Sequence, residues 1–231
     1  MIAMRAISDN RKVLHHWILY GPKSEFLVGW APGKDESAPL PPDVGMNLPG
    51  GNLTLDMHYF NLMGTDAEPD NSGLELCVVK QPNFRKYTAA VNQTFSSFLI
   101  NIPAHATNFD VTGQCTFTGN TPVNLITASP HAHKLAKHMN FTVTKKSGEV
   151  ITLHDGAFDF NEQTTYPLDP MVTLENGDVV KTVCTYDNPT DKAVTFGENT
   201  GNEMCFNFAV YYPMGAMACG SGSFAGGLGG R

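Results

Sequence analysis

Charge is scarce in this chain. Only 16% of its 231 residues are Asp, Glu, Lys or Arg, and 15 Lys and Arg stand against 22 Asp and Glu for a formal net charge of -7. Phosphate backbones are bound by clustered cations that displace counterions, so nucleic acid is excluded as a partner. Long apolar runs are also lacking. Nothing approaches the roughly 18 to 20 residues of a transmembrane segment, and the first twenty residues carry charges and two His where a secretion leader would be apolar. The expectation is a soluble chain with no signal peptide in it. No GxGxxG, P-loop, CxxC or Gly-x-Ser-x-Gly motif occurs, which argues against nucleotide binding, thioredoxin-type redox chemistry and a serine hydrolase elbow.

A sustained 3.6-residue period is missing too, and its absence argues for β structure. Apolar residues alternate or come in short runs bounded by Gly, Pro, Asn and Asp. Candidate strands are Val13 to Tyr20, Asn52 to Asn61, Leu74 to Lys80, Tyr87 to Ile100, Phe109 to Phe117, Thr121 to Ser129, Met139 to Thr144, Thr182 to Tyr186 and Glu203 to Tyr212. The fold class is therefore all-β, built as antiparallel sandwiches or jelly rolls. Turn clusters such as Ala31-Pro32-Gly33 and Leu48-Pro49-Gly50-Gly51 make the first sixty residues look loop-rich. A break at Gln81-Pro82-Asn83 puts a domain boundary near residue 86, giving domains at 1–86 and 87–219. Residues 220–231, with six Gly and two Ser, read as a flexible tail.

Four of the five Cys, Cys115, Cys184, Cys205 and Cys219, lie in the second half. Two disulfides are a better reading than four buried thiols, and they imply an oxidising compartment, extracellular or periplasmic. Cys77 is the odd one out. Cys205 directly follows Met204 in a strand-like run, so the two side chains should face opposite ways.

Eight His and ten Met supply soft and borderline metal donors. His15-His16 lies inside one apolar run, His58 inside another, and His131-Ala132-His133 ends a third. Residues i and i+2 of a strand share a face, so His131 and His133 can present two imidazoles to one ion. The neighbours His15 and His16 can do so only if the strand twists or different ring nitrogens are used. Taken singly, His58 reads as a hydrogen-bonded residue and Met204 as core packing. Of the other histidines, His105 reads as a surface loop residue, His154-Asp155-Gly156 as a turn, and His138 as a side chain able to approach a cleft.

In order along the chain, Val13-Leu-His-His-Trp-Ile-Leu, Leu55-Asp-Met-His-Tyr-Phe-Asn, Pro130-His-Ala-His-Lys-Leu-Ala-Lys and Asn202-Glu-Met-Cys-Phe-Asn-Phe together resemble the copper type II, ascorbate-dependent monooxygenases. This is the family of dopamine β-hydroxylase and peptidylglycine α-hydroxylating monooxygenase. The resemblance implies two coppers per chain, one held by His15, His16 and His58 that transfers electrons, and one held by His131, His133 and Met204 that binds oxygen and substrate. It implies a jelly-roll domain for each copper, ascorbate or a similar reductant, O2 and a small-molecule substrate, and disulfides Cys115–Cys219 and Cys184–Cys205. A thioether favours Cu(I), and zinc sites rarely recruit Met, so zinc is the weaker metal.

Two features depart from the family pattern. Only fourteen residues precede His15, so the N-terminal sandwich should be truncated, with uncovered sheet edges that favour a homo-oligomer. Where peptide-amidating members carry an Arg before His-x-His and polar residues after Met-Cys, this chain has Ser129, Phe206 and Phe208. These three are expected to contact substrate, and the missing guanidinium argues against a peptide carboxylate. The main rival is a non-catalytic copper-binding or interaction protein derived from the family.

Overall fold

The computed structural model describes residues 1–33, 40–59, 69–92 and 95–219. The predicted tail at 220–231 and the end of the predicted strand at 52–61 lie outside them. Nineteen strands and no helix occur among the described residues. Six precede residue 86: β1 (Ala3–Ile7), β2 (Leu14–Tyr20), β3 (Phe26–Trp30), β4 (Val44–Met46), β5 (Thr54–Tyr59) and β6 (Gly73–Cys77). Then come β7 (Tyr87–Asn92), β8 (Ser96–Ser97), β9 (Asn101–Ile102), β10 (Phe109–Thr116), β11 (Val123–Ala128), β12 (Pro130–Ala132) and β13 (Ala136–Thr144). The chain continues with β14 (Val150–Ala157), β15 (Tyr166–Leu174), β16 (Val179–Tyr186), β17 (Val194–Thr195), β18 (Cys205–Asn207) and β19 (Ala209–Tyr212).

Alternation explains the N-terminal layers. In β1 the buried residues are Met4 and Ala6, and β2 sends Trp17 and Leu19 the same way. The pair β1–β6 thus shares an apolar cluster with the sheet β3-β2-β5, to which Leu27, Leu55, Met57 and Leu76 add. Trp17 is fully buried there, and truncating it to Ala would cost about 3–5 kcal/mol.

The larger core lies between a four-stranded sheet, β10-β16-β13-β14, and a five-stranded one, β15-β11-β19-β7-β4. Met139, Phe141, Val180 and Tyr186 from the first meet Val123, Leu125, Leu174 and Tyr211 from the second. Strand β4 pairs parallel with β7, so the segment before residue 86 joins the second sheet across it. Disulfides Cys115–Cys219 and Cys184–Cys205 cross-link this half, and Cys77 is a free, exposed thiol. Only glycine fits at Gly113, where an added Cβ would lie 2.4 Å from the Ser96 carbonyl oxygen. That close approach seats β8 and, through the three-stranded sheet β12-β18-β8, the strands that carry the candidate site.

Several details differ from the sequence reading. The described residues among the first sixty form five strands. His154-Asp155-Gly156 is not a turn but part of β14, where Gly156 pairs with Met139. An edge strand wet on much of both faces leaves no apolar alternation to read. The run Glu203 to Tyr212 is two strands in different sheets, broken at Phe208. His138 is half-buried on β13 and lies 3.1 Å from Asp155 rather than at a cleft, and His105 is an exposed loop residue beside Asp191. No described helix is long and apolar enough to cross a membrane.

Candidate metal centres and substrate cavity

The His15-His16 problem is solved by a β-bulge. In the β2–β5 ladder, Leu14 pairs with Tyr59 and His16 with His58, and the register slips between them. The extra residue on β2 is His15, and a bulge re-aims its side chain toward the face that alternation would deny it. His15 Nδ1 lies 2.9 Å from His16 Nδ1, and His16 Nε2 lies 3.1 Å from His58 Nδ1. One ligand nitrogen from each falls within 4.8 Å of the others. Nitrogens bonded at about 2.0–2.1 Å to one tetrahedral ion sit roughly 3.3 Å apart, so this donor set fits a single metal ion. Burial first, and the neighbouring imidazoles second, lower His15 to a pKa of about 4 and His16 to about 3. Both are neutral at physiological pH, the state a metal ligand needs.

The second set rests on β12 and β18. His131 pairs in register with Phe206, and its Nδ1 lies 2.6 Å from Gln163 Oε1. The Gln163 amide is oriented by its own Nε2, which donates to the Phe160 carbonyl at 3.0 Å. Oε1 can only accept, so His131 carries its proton on Nδ1 and offers Nε2 as lone pair. His133 repeats the arrangement, with Nδ1 donating to the Asn202 carbonyl oxygen at 2.9 Å. Outer partners of this kind fix tautomer and ring orientation in metal sites. Burial, and then the neighbouring His133, lowers His131 to about 4; burial lowers His133 as well.

Met204 is held from both sides. Its carbonyl accepts from the Tyr186 hydroxyl at 2.6 Å, and its N–H donates to Glu203 Oε2 at 3.3 Å. Glu203 is fully buried and also accepts from the His133 N–H at 2.9 Å and the Leu135 N–H at 2.7 Å. One carboxylate therefore ties the His-x-His strand to the Met strand. Burial pushes it up to about 7, against the pull of those three N–H donors. Cys205 points into the core toward Cys184 while Met204 faces the cavity, as the alternation predicts.

A cavity of about 860 Å³ joins the two sets: His16 and His58 line it, as do His131, His133 and Met204. Ser129, Phe206 and Phe208 line it too, with Ser129 Oγ 3.1 Å from Thr165 Oγ1. Phe206, Phe208 and Phe26 form a stack, with centroids 5.3 Å apart for the first pair and 5.7 Å for the second. No Lys or Arg is among its described lining, whereas Asp56 and Glu198 are. Burial and those two carboxylates raise the Tyr20 phenol above its usual range.

Gln163, Glu203 and Asn202 escaped the sequence reading as supporting residues. Glu203 left one signal, a carboxylate inside an apolar strand-like run, which requires buried donors. Gln163 left none, because it reaches His131 from a loop 32 positions away.

Residues 87–224 match the family model described as copper type II ascorbate-dependent monooxygenase, C-terminal domain. The chain is 30% identical over 204 residues to DBH-like monooxygenase protein 1 of Gallus gallus, spanning 81% of this chain and 33% of that protein. Dopamine beta-hydroxylase of Equus caballus is 27% identical over 203 residues, 81% of this chain and 32% of the relative. MOXD1 homolog 1 of Drosophila melanogaster is 26% identical over 200 residues, 80% and 28%. The chain spans about a third of the length of these curated relatives.

Proposed function

The chain belongs to the copper type II ascorbate-dependent monooxygenase family, and on that premise we propose that it hydroxylates a C–H bond of a small organic substrate with O2 and ascorbate or an equivalent one-electron reductant. In this reading His15, His16 and His58 hold one copper, and His131, His133 and Met204 hold a second. The observation that carries it is that side chains of both donor sets open on one cavity. Bound copper would supply one-electron chemistry, so that O2, a C–H bond, two electrons and two protons yield an alcohol and water.

The protein's own share is positioning. Gln163 and Asn202 keep His131 and His133 presenting Nε2, and Glu203 with Tyr186 fixes the Met204 backbone beside them. A soft thioether at that position favours Cu(I). The Phe26–Phe208–Phe206 stack offers a flat apolar wall, so the substrate is aromatic or apolar near the reacting carbon. Asp56 and Glu198, with no Lys or Arg among the described lining, disfavour an anionic group. The two disulfides support an oxidising compartment, and we place the protein outside the cell or in a periplasm.

Metal analysis with oxygen uptake tests the reading. Two coppers per chain and ascorbate-dependent oxygen consumption that rises with substrate are expected. About one copper with no coupled turnover would replace the enzyme with a copper-binding protein.

A further inference from the structure

We propose that Phe160 is a positioning residue that sets the approach of the two histidine sets to each other, a role that rests on the two-copper reading for its functional consequence. Its ring stacks on His15 at 4.4 Å between centroids and 29° between planes, and meets His133 edge-on at 6.1 Å and 85°. One phenyl ring thus touches an imidazole from each set.

The ring is held by a loop tied to both halves of the chain. Phe160 lies in the turn between β14 and β15, closed by the Glu162 N–H on the Asp159 carbonyl at 3.0 Å and by the Asn161 N–H on Asp159 Oδ1 at 2.8 Å. Before it, the Phe158 N–H donates to the Lys137 carbonyl at 2.9 Å; after it, the Gln163 N–H donates to the Pro32 carbonyl at 2.6 Å. Gly33 makes that second contact feasible: its φ is +126°, and an added Cβ would lie 3.0 Å from Thr164 Oγ1. The Phe160 carbonyl is meanwhile held by the Gln163 amide that orients His131. A rigid apolar plate so anchored keeps water out from between His15 and His133 and fixes their spacing. Smaller side chains would leave that gap to solvent and to motion of the β2 bulge.

The experiment is the dipolar interaction between two Cu(II) ions in the fully loaded protein, read from its EPR spectrum, with isotope-labelled His NMR on the metal-free protein beside it. Wild type and Phe160→Tyr should give the same narrow interaction. Phe160→Ala should weaken or broaden it and shift the ring signals of His15 and His133 by loss of the phenyl ring current, leaving His58 in place. Phe160→Leu keeps apolar bulk if the Ala variant does not fold, and should also abolish the ring-current shift. Unchanged dipolar interaction together with unmoved His15 and His133 signals would overturn the proposal. Failure of the two-copper reading would look different, because wild type itself would then take up fewer than two coppers.

Discussion

His131 Nδ1 lies 2.6 Å from Gln163 Oε1, and the same amide donates 3.0 Å to the Phe160 carbonyl, so the tautomer of one imidazole is fixed by a residue 32 positions away. Replacing Gln163 with Ala frees the ring to rotate and to exchange tautomers. Copper affinity at the His131 set should fall about 10- to 100-fold, with the His15 set unaffected. Competitive copper titration followed by EPR checks both halves, and equal weakening of the two sites would count against the assignment.

Met204→Ile is close to volume-conserving and keeps the backbone bonds to Glu203 and Tyr186, so the strand should stay put. Product formation should drop at least a hundredfold, while the Cu(II) spectrum of the three-His set is preserved. An unchanged product yield would remove Met204 from the chemistry.

The sequence makes half-buried strands legible and wet ones not. Strands β10 and β16, and β2 past its bulge, alternate cleanly because one face meets a core. Strand β15 carries Pro167, Asp169 and Pro170 and is exposed along most of its length, so its residues resemble a loop. The donor pattern is legible for the same local reason: His131, on β12, and His133, one residue past its end, are two apart along one segment. What is not legible is long-range, since the bulge at His15 exists only against β5, and Glu203 acquires its role only when three N–H groups from two segments converge on it.

Acidification should destabilise the metal-free protein well above the carboxylate range. His15, His16 and His131 have folded pKa values near 4, 3 and 4 against 6.5 when unfolded, so their contribution is complete above 6.5 and is lost as pH falls below it. Glu203, raised to about 7, works the opposite way and gains as pH falls. Between pH 6.5 and 5 each group changes stability by about 1 to 2 kcal/mol, leaving a net loss on the order of 3 kcal/mol. Thermal melts of the metal-free protein should show it, with a steeper drop in Glu203→Gln. A flat melting temperature over that window would refute the buried neutral histidines.

The two disulfides should separate by function. Cys184–Cys205 spans 21 residues and adjoins Met204; replacing both with Ala should cost about 3 kcal/mol and loosen copper at the His131 set. Cys115–Cys219 spans 104 residues, and its removal should cost more, about 4–5 kcal/mol, with copper affinity unchanged. Urea midpoints and copper titration on the two double variants distinguish them; identical copper affinities would show that Cys205 does not help hold Met204.

Glycine-extended peptides should not be amidated. A C-terminal carboxylate needs a cationic fork, and the position two residues before His131 is Ser129, whose hydroxyl lies 3.1 Å from Thr165 Oγ1. Beside it, where the Phe208 N–H donates to the Ser129 carbonyl at 2.9 Å, Phe206 and Phe208 stack, and Asp56 and Glu198 add like charge to the described lining. Placing Arg at 129 supplies the missing partner and should raise peptide turnover from none toward a measurable rate, while lowering turnover of an apolar substrate by crowding the phenyl stack. The assay is product analysis with copper, ascorbate and O2 on both substrate types. Efficient amidation by the unmodified protein would show that the carboxylate is bound by groups other than those lining this cavity.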